Sequence, residues 1–400
     1  MNQTVQAVVA GHICFDIIPS FRSAQPAEIS QLFVPGKLIN MGGAKLSTGG
    51  PVSNTGLALS TLGIRTRLMG KIGNDCFGEI VLKLLRERGA ADGMIVADGE
   101  ETSYTIVIVP PGLDRIFLHN PGANNTFGAD DIDYGLVKQA QLFHFGYPPL
   151  MKRIFADDGA QLVEIFKRVK ALGVTTSLDM SLPDPASESG QVNWQCVLEK
   201  LLPHVDIFLP SVEETMFMIQ RESLTALHAR AHSGDPLLNL DMNWLPGLGA
   251  KLLAMGTKIA VLKCGVRGYY IRTASADVLR TMGTALPASV EDWAGRELIE
   301  ESYNVPVAAA TGSGDSSIAG FLAAYLNGLG IEQAIRVACL VGAQNVQVLD
   351  AVSGIKGWNE TMAMVATNLP KHKFPIAGNY WTWDGTHGKW VGKLSAPAEV

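Results

Sequence analysis

Six residues, Ala310-Thr311-Gly312-Ser313-Gly314-Asp315, run directly into the mostly apolar stretch from Ser316 to Leu326. Small residues at a helix start let backbone N–H groups face an anion, and the positive end of the helix dipole favours negative charge there. Gly312, Ser313 and Gly314 could therefore cradle a phosphoryl group in flight. Asp315, in the first helical turn, would lie beside it, held ionised by the same dipole and placed to orient a hydroxyl and accept its proton. By itself a Gly-x-Gly turn serves equally well to pack a helix tightly on a strand, so the chemistry needs support from elsewhere in the chain.

Such a turn has to be positioned by a strand before it and a helix after it, and the chain repeats that pattern. Leu162, Ile165, Phe166, Val169 and Leu172 share one helical face, Gly173 stops the helix, and Val174 to Asp179 reads as a strand. Short β-rich runs alternating with helical periods predict an α/β protein built on a doubly wound, mostly parallel sheet flanked by helices. A second glycine element, Gly49-Gly50-Pro51-Val52-Ser53-Asn54, opens another helix, with Pro51 suited to its first turn because no N–H is needed there. Lys71-Ile72-Gly73-Asn74-Asp75-Cys76-Phe77-Gly78 follows one strand later.

With both glycine elements in this order, the sequence resembles the PfkB or ribokinase-like family of carbohydrate and nucleoside kinases over residues 5 to 355. The resemblance implies a kinase domain over residues 1–370, ATP and Mg2+ as cofactors, Asp315 as catalytic base and the Gly312, Ser313, Gly314 turn as anion hole. Asp16, Gly50 and Asn54 would hold the substrate. Lys263, Gly265 and Gly268, in the run Ala260 to Tyr269, would contact the nucleotide phosphates. Asp206 to Glu214 looks like the strand and turn carrying the family's Asn-x-x-Glu element, with Ser211 in place of the asparagine. Glu214 would then act on the metal through water. Segments within about 17–44 and 102–120, short strands with Pro-Gly turns, would form a small β-sheet lid that excludes water from the sugar, unless they are a plain surface hairpin.

Departures from the family pattern narrow the reading. Ala309 and Ala310 replace the Asp-Thr pair whose aspartate helps bind an activating potassium ion in relatives, so weak potassium dependence is expected. Pro51 stands where kinases of phosphorylated sugars commonly place a lysine, which favours an unphosphorylated sugar. The Phe143 to Pro148 run lacks the carboxylate of ribose-specific members. A nucleoside kinase of the same family, or a non-catalytic relative that binds a sugar or nucleotide, stays open.

Composition excludes several other classes. A 400-residue chain that is 47% hydrophobic and 18% charged has the make-up of a globular protein, and a net charge of −6 without a basic run argues against nucleic acid as partner. The start Met1-Asn2-Gln3-Thr4-Val5 lacks the regions of a signal peptide and no apolar run spans a bilayer, so a cytoplasmic protein without a membrane partner is expected. Five scattered cysteines read as reduced core residues. No Gly-x-x-x-x-Gly-Lys-Ser/Thr run exists, and Gly11-His12-Ile13-Cys14-Phe15 is not a dinucleotide fingerprint. His144 reads as a satisfied buried residue. Residues 223–246 resemble an insertion without an assigned role. The 371–400 extension, with aromatics around Asp384-Gly385, predicts a hairpin packed on the body or on a second subunit, which keeps a homodimer open.

Overall fold

A computed structural model describes residues 5–22, 34–110, 115–231 and 235–395. The main sheet has eleven strands. Its parallel part runs β5 (Met94–Ala97), β4 (Thr66–Gly73), β1 (Ala7–Gly11), β8 (Leu142–Gly146), β9 (Thr175–Leu178), β10 (Ile207–Phe208) and β11 (Ile259–Lys263). Antiparallel strands β12 (Tyr269–Thr273), β13 (Glu297–Glu300), β15 (Lys389–Gly392) and β14 (Trp381–Asp384) extend the other edge. The expected α/β architecture with a mostly parallel sheet is therefore present.

The apolar runs form central strands because both faces of the sheet are covered. Side chains alternate across each strand, so Val8, Ala10, Phe143, Phe145 and Leu262 enter one core while Ala7, Val9, Leu142 and Val261 enter the other. Leu162, Ile165, Phe166 and Val169 pack into the first core from the helix Lys152–Ala171. That helix is interrupted at Ala156 to Gly159, where φ and ψ leave the helical region.

A separate four-stranded sheet, ordered β3 (Met41–Gly49), β2 (Cys14–Phe21), β6 (Tyr104–Ile108) and β7 (Ile116–Asn120), corresponds to the small sheet expected from the sequence. Asp16 sits inside β2. Residues 23–33 of the first lid segment, and 111–114 in the Pro-Gly turn of the second, lie outside the described residues. The 223–246 segment carries most of the helix Arg221–Arg230 and two short 3-10 turns, with 232–234 outside the description.

The aromatic extension folds as β14 and β15 onto its own body, with Leu298 opposite Val391 and Ile299 opposite Trp390. All five cysteines are free, but only Cys14, Cys264 and Cys339 are buried; Cys76 is exposed and Cys196 half-buried, which corrects the reading of a uniform core set. Among the described residues no helix is long and apolar enough to cross a membrane.

Candidate active site

The helix Ser313–Leu326 begins on Gly312, whose φ of 72° is left-handed and whose absent Cβ would lie 2.5 Å from the Ala351 methyl. Only glycine meets both demands. The turn leaves Thr311 to Gly314 half-buried and sends Asp315 into the interior, 1% exposed. Its Oδ2 accepts from Asn54 Nδ2 at 2.9 Å and from the Tyr147 hydroxyl at 3.1 Å. Its Oδ1 is buried without a partner among the described residues. One oxygen is anchored and the other left available, an arrangement that suits a base.

Asn54 comes from the helix Pro51–Thr61, which starts on Gly50 at φ 84°. A Cβ on Gly50 would lie 2.6 Å from both Nδ1 and the carbonyl of His12, so glycine alone lets this helix start against the end of β1. Two glycine-led helix starts therefore converge on one carboxylate. Burial raises the Asp315 pKa, although the Asn54 hydrogen bond, Lys263 and Tyr147 pull it down. The dipole expected to keep this group readily ionised is outweighed by desolvation.

A cavity of about 430 Å³ opens beside Asp315 and is lined by Asp16, Gly50, Asn54, Arg115, His119 and Tyr147, among others. The small sheet supplies Asp16 from β2 and His119 from β7. Burial pushes the Asp16 carboxyl up to about 6, despite hydrogen bonds from the Cys14 thiol and Thr105. His12 and His119 approach within 3.4 Å through their Nε2 atoms, and burial lowers both pKa values so that both rings stay neutral. Arg115 donates to Thr311 Oγ1 at 2.9 Å, tying the small sheet to the glycine turn.

On the far side of the turn lies a second cavity of about 360 Å³, with Val305, Val307, Ala343 and Val346 in its wall and Gly265 and Gly268 on its rim. Ala310 and Gly314 line both cavities. The first-turn N–H groups of a helix have no intrahelical acceptor, so those of Gly314 and Asp315 are available, while Ser313 N–H reaches the Ala310 carbonyl at 3.3 Å.

Two expected contacts are arranged differently from the sequence reading. Lys263 lends its stem to the second cavity, but its ammonium is bound to Asp179 and, at 2.7 Å, to the Leu209 carbonyl. Glu214 Oε2 accepts from Ser211 N–H at 2.6 Å while Ser211 Oγ accepts from Glu214 N–H at 3.1 Å, a capping box that starts the helix Val212–Ile219. The serine that replaces the family's asparagine is thus a helix cap. Burial raises the pKa of both Glu214 and Asp179 against the pull of Lys263, and Asp179 Oδ2 is buried without a partner among the described residues. No set of three His, Cys, Asp or Glu side chains among the described residues is grouped for a metal. His144 is only half satisfied: Nδ1 meets Ser177 Oγ at 3.0 Å, Nε2 has no partner among the described residues, and burial lowers its pKa to about 3.

Sequence reasoning missed His12, Arg115, His119, Tyr147 and Asp179. A usable signal existed for three of them. His12, Tyr147 and Asp179 each directly follow the C-terminal end of a parallel strand, β1, β8 or β9, where open α/β sheets gather their ligand-binding residues. Tyr147 also holds φ 61°, a strained value outside glycine that points to function.

The profile of the pfkB family carbohydrate kinases matches residues 11–356. An uncharacterized sugar kinase of Archaeoglobus fulgidus is 26% identical over 299 residues, 75% of this chain and 98% of the relative. Fructokinase-1 of Zea mays is 33% identical over 127 residues, 31% of this chain and 39% of the relative. Arabidopsis thaliana ribokinase, solved with ribose and ATP, superposes with a TM-score of 0.64 at 19% identity, covering 92% of this chain and all of that one. The nucleoside kinase of Methanocaldococcus jannaschii superposes at 0.61 and 17%, covering 91% and 99%. With that profile spanning the two glycine-led helices and the carboxylate between them, the chain belongs to the PfkB family of carbohydrate kinases, as a kinase acting on a sugar.

Proposed function

We propose that the protein transfers the γ-phosphoryl group of ATP to a hydroxyl of a small, unphosphorylated sugar. The observation that carries this reading is the Gly312 to Gly314 turn, which has a cavity lined by Asp16, Asn54 and Asp315 on one side and a more apolar one on the other, with Asp315 Oδ1 unpartnered among the described residues beside the first. The sugar occupies the cavity lined by Asp16, the Gly50 backbone and Asn54, because a hydroxyl-rich ligand needs buried donors and acceptors at fixed places. The nucleotide base lies against Val305, Val307 and Val346, and its phosphates pass Gly265 and Gly268 towards the turn.

In the transfer, the sugar oxygen forms a bond to the γ-phosphorus, the bond from that phosphorus to the bridging oxygen of ADP breaks, and the hydroxyl proton moves to Asp315 Oδ1. Amides of the turn stabilise charge on the equatorial oxygens, Ser313 N–H after leaving the Ala310 carbonyl. Glu214 and Asp179 would hold the water shell of the magnesium that accompanies the nucleotide, an ion that would supply positive charge against the phosphates.

A second reading, an acceptor bearing a carboxylate, is favoured by Arg115, the one Lys or Arg among the described residues lining the sugar cavity. Arginine recognises carboxylates through a planar fork. ADP release from magnesium ATP, measured against ketoses, aldoses, sugar acids and nucleosides, tests both. Turnover with one acceptor, reduced about 10³-fold in Asp315→Asn with ATP binding retained, is the expected result. Silence across the panel with intact ligand binding would make the protein a non-catalytic relative, and turnover confined to nucleosides would replace the sugar.

A further inference from the structure

The C-terminal extension lies beyond residue 356, where the family match ends, yet it borders the second cavity. Its residues 370–372 pair with the strand-like segment after β13: Asn304 N–H donates to the Pro370 carbonyl at 2.8 Å, His372 N–H donates to the Ser302 carbonyl at 2.9 Å, and Lys371 bridges antiparallel to Tyr303. The Lys371 ammonium also pairs with buried Glu300 and sits 5.5 Å from the Tyr303 ring. Ser302, Tyr303 and His372 then line the cavity together with Val305 and Val307. The His372 ring stacks on Phe374 at 5.8 Å and 21°, and Phe374 is held by the Arg267 guanidinium at 4.4 Å. Flat groups thus follow one another towards the cavity, with His372 the member that lines it.

We propose that the extension completes the nucleotide site and that His372 is a determinant of nucleotide binding, giving a planar purine base a ring to stack on. The inference rests on the assignment of this cavity to the nucleotide. Apolar side chains provide area but no plane, whereas an aromatic ring fixed by its own neighbours offers a base a matched face. Docking by backbone pairing and by the Lys371–Glu300 ion pair holds the ring in place before any ligand arrives.

The test compares wild type, His372→Ala and His372→Phe by equilibrium titration with magnesium ATP and with magnesium tripolyphosphate, which has no base. His372→Ala should weaken ATP binding about tenfold and leave tripolyphosphate unmoved, and His372→Phe should restore most of the loss. Equal ATP affinity in wild type and His372→Ala, or an equal loss for tripolyphosphate, would overturn the proposal. Wild type that binds no ATP would overturn it together with the kinase reading. Wild type that binds ATP through His372 but phosphorylates no sugar would sink the kinase reading alone.

Discussion

The two cavities flanking the glycine turn are built on opposite principles. The sugar side gathers buried polar groups, including Asp16, Asn54, His12 and Asp315, and leaves Asp315 Oδ1 and His12 Nδ1 without partners among the described residues. The cavity proposed for the nucleotide has Val305, Val307, Ala343 and Val346 among its lining, beside Lys263, Ser302, Tyr303 and His372. An unsatisfied buried polar atom costs about 1–3 kcal/mol, so the sugar side holds free energy that a hydrogen-bonding ligand can recover. Among the described residues none lining the second cavity has a buried side-chain polar atom without a partner, so on the proposed assignment it binds through area and shape. On the proposed assignment, discrimination among acceptors resides on the sugar side, and the shared turn is where the two meet.

Gly312→Ala distorts the turn that carries the two shared lining residues, Ala310 and Gly314, and should give the largest effect felt on both sides at once. The new methyl meets Ala351 at 2.5 Å and the backbone is left-handed at φ 72°. Turnover is expected to fall at least 100-fold, with KM raised for both substrates and about 1–3 kcal/mol of stability lost. Steady-state kinetics that move only one KM would show that the cavities do not share this turn functionally.

Asp16→Asn should sharpen the contrast by moving one side alone. Losing a charged hydrogen-bond partner is expected to raise KM for the sugar about 10- to 100-fold and leave KM for ATP unchanged. The same variant carries a pH signature. Asp16 has its folded pKa raised from 3.8 to about 6, so the folded state binds the extra proton and the corresponding stability is present below pH 3.8 and lost as pH rises through 6. The loss amounts to about 3 kcal/mol. The asparagine side chain has no charge to bury, so the melting temperature of the sugar-free variant should overtake wild type increasingly between pH 4 and 7. A constant difference across that range would show that Asp16 is solvated as an ion.

The pattern of legibility follows the same physics. Gly50 and Gly312 were readable because a backbone demand falls on one residue type, and β9 because Gly173 stops the helix just before it. Tyr147 and Asp315 are 168 positions apart and His12 and His119 are 107 apart, so their contacts depend on how strands are ordered in space, which local pattern does not encode. The aromatic alternation of 380–390 announced a hairpin but not the edge it joins, since any open antiparallel edge accepts one. Ser211 looked only like a replaced motif residue because a cap and a lost ligand are written with the same letter. Lys263 could be placed near phosphates by its strand and turn, whereas its ammonium partner, Asp179, lies at the end of β9, two strands across the sheet and 84 residues away.

Tyr147→Phe is the smallest change and isolates the base from the pocket around it. Burial and the nearby Asp315 keep the Tyr147 hydroxyl protonated, so it serves as a donor to Oδ2 and leaves Oδ1 to the substrate. Removing the hydroxyl leaves Asn54 as the side-chain donor on Oδ2 and subtracts an influence that lowers the Asp315 pKa. The carboxyl should therefore titrate higher, moving the acid limb of kcat to higher pH, with turnover at neutral pH reduced about 3- to 10-fold and KM for ATP unchanged. A purely structural tyrosine would change melting temperature and leave that limb where it stands. An unmoved limb in the Tyr147→Phe enzyme would thus remove Tyr147 from the chemistry and leave Asn54 as the residue that orients the base.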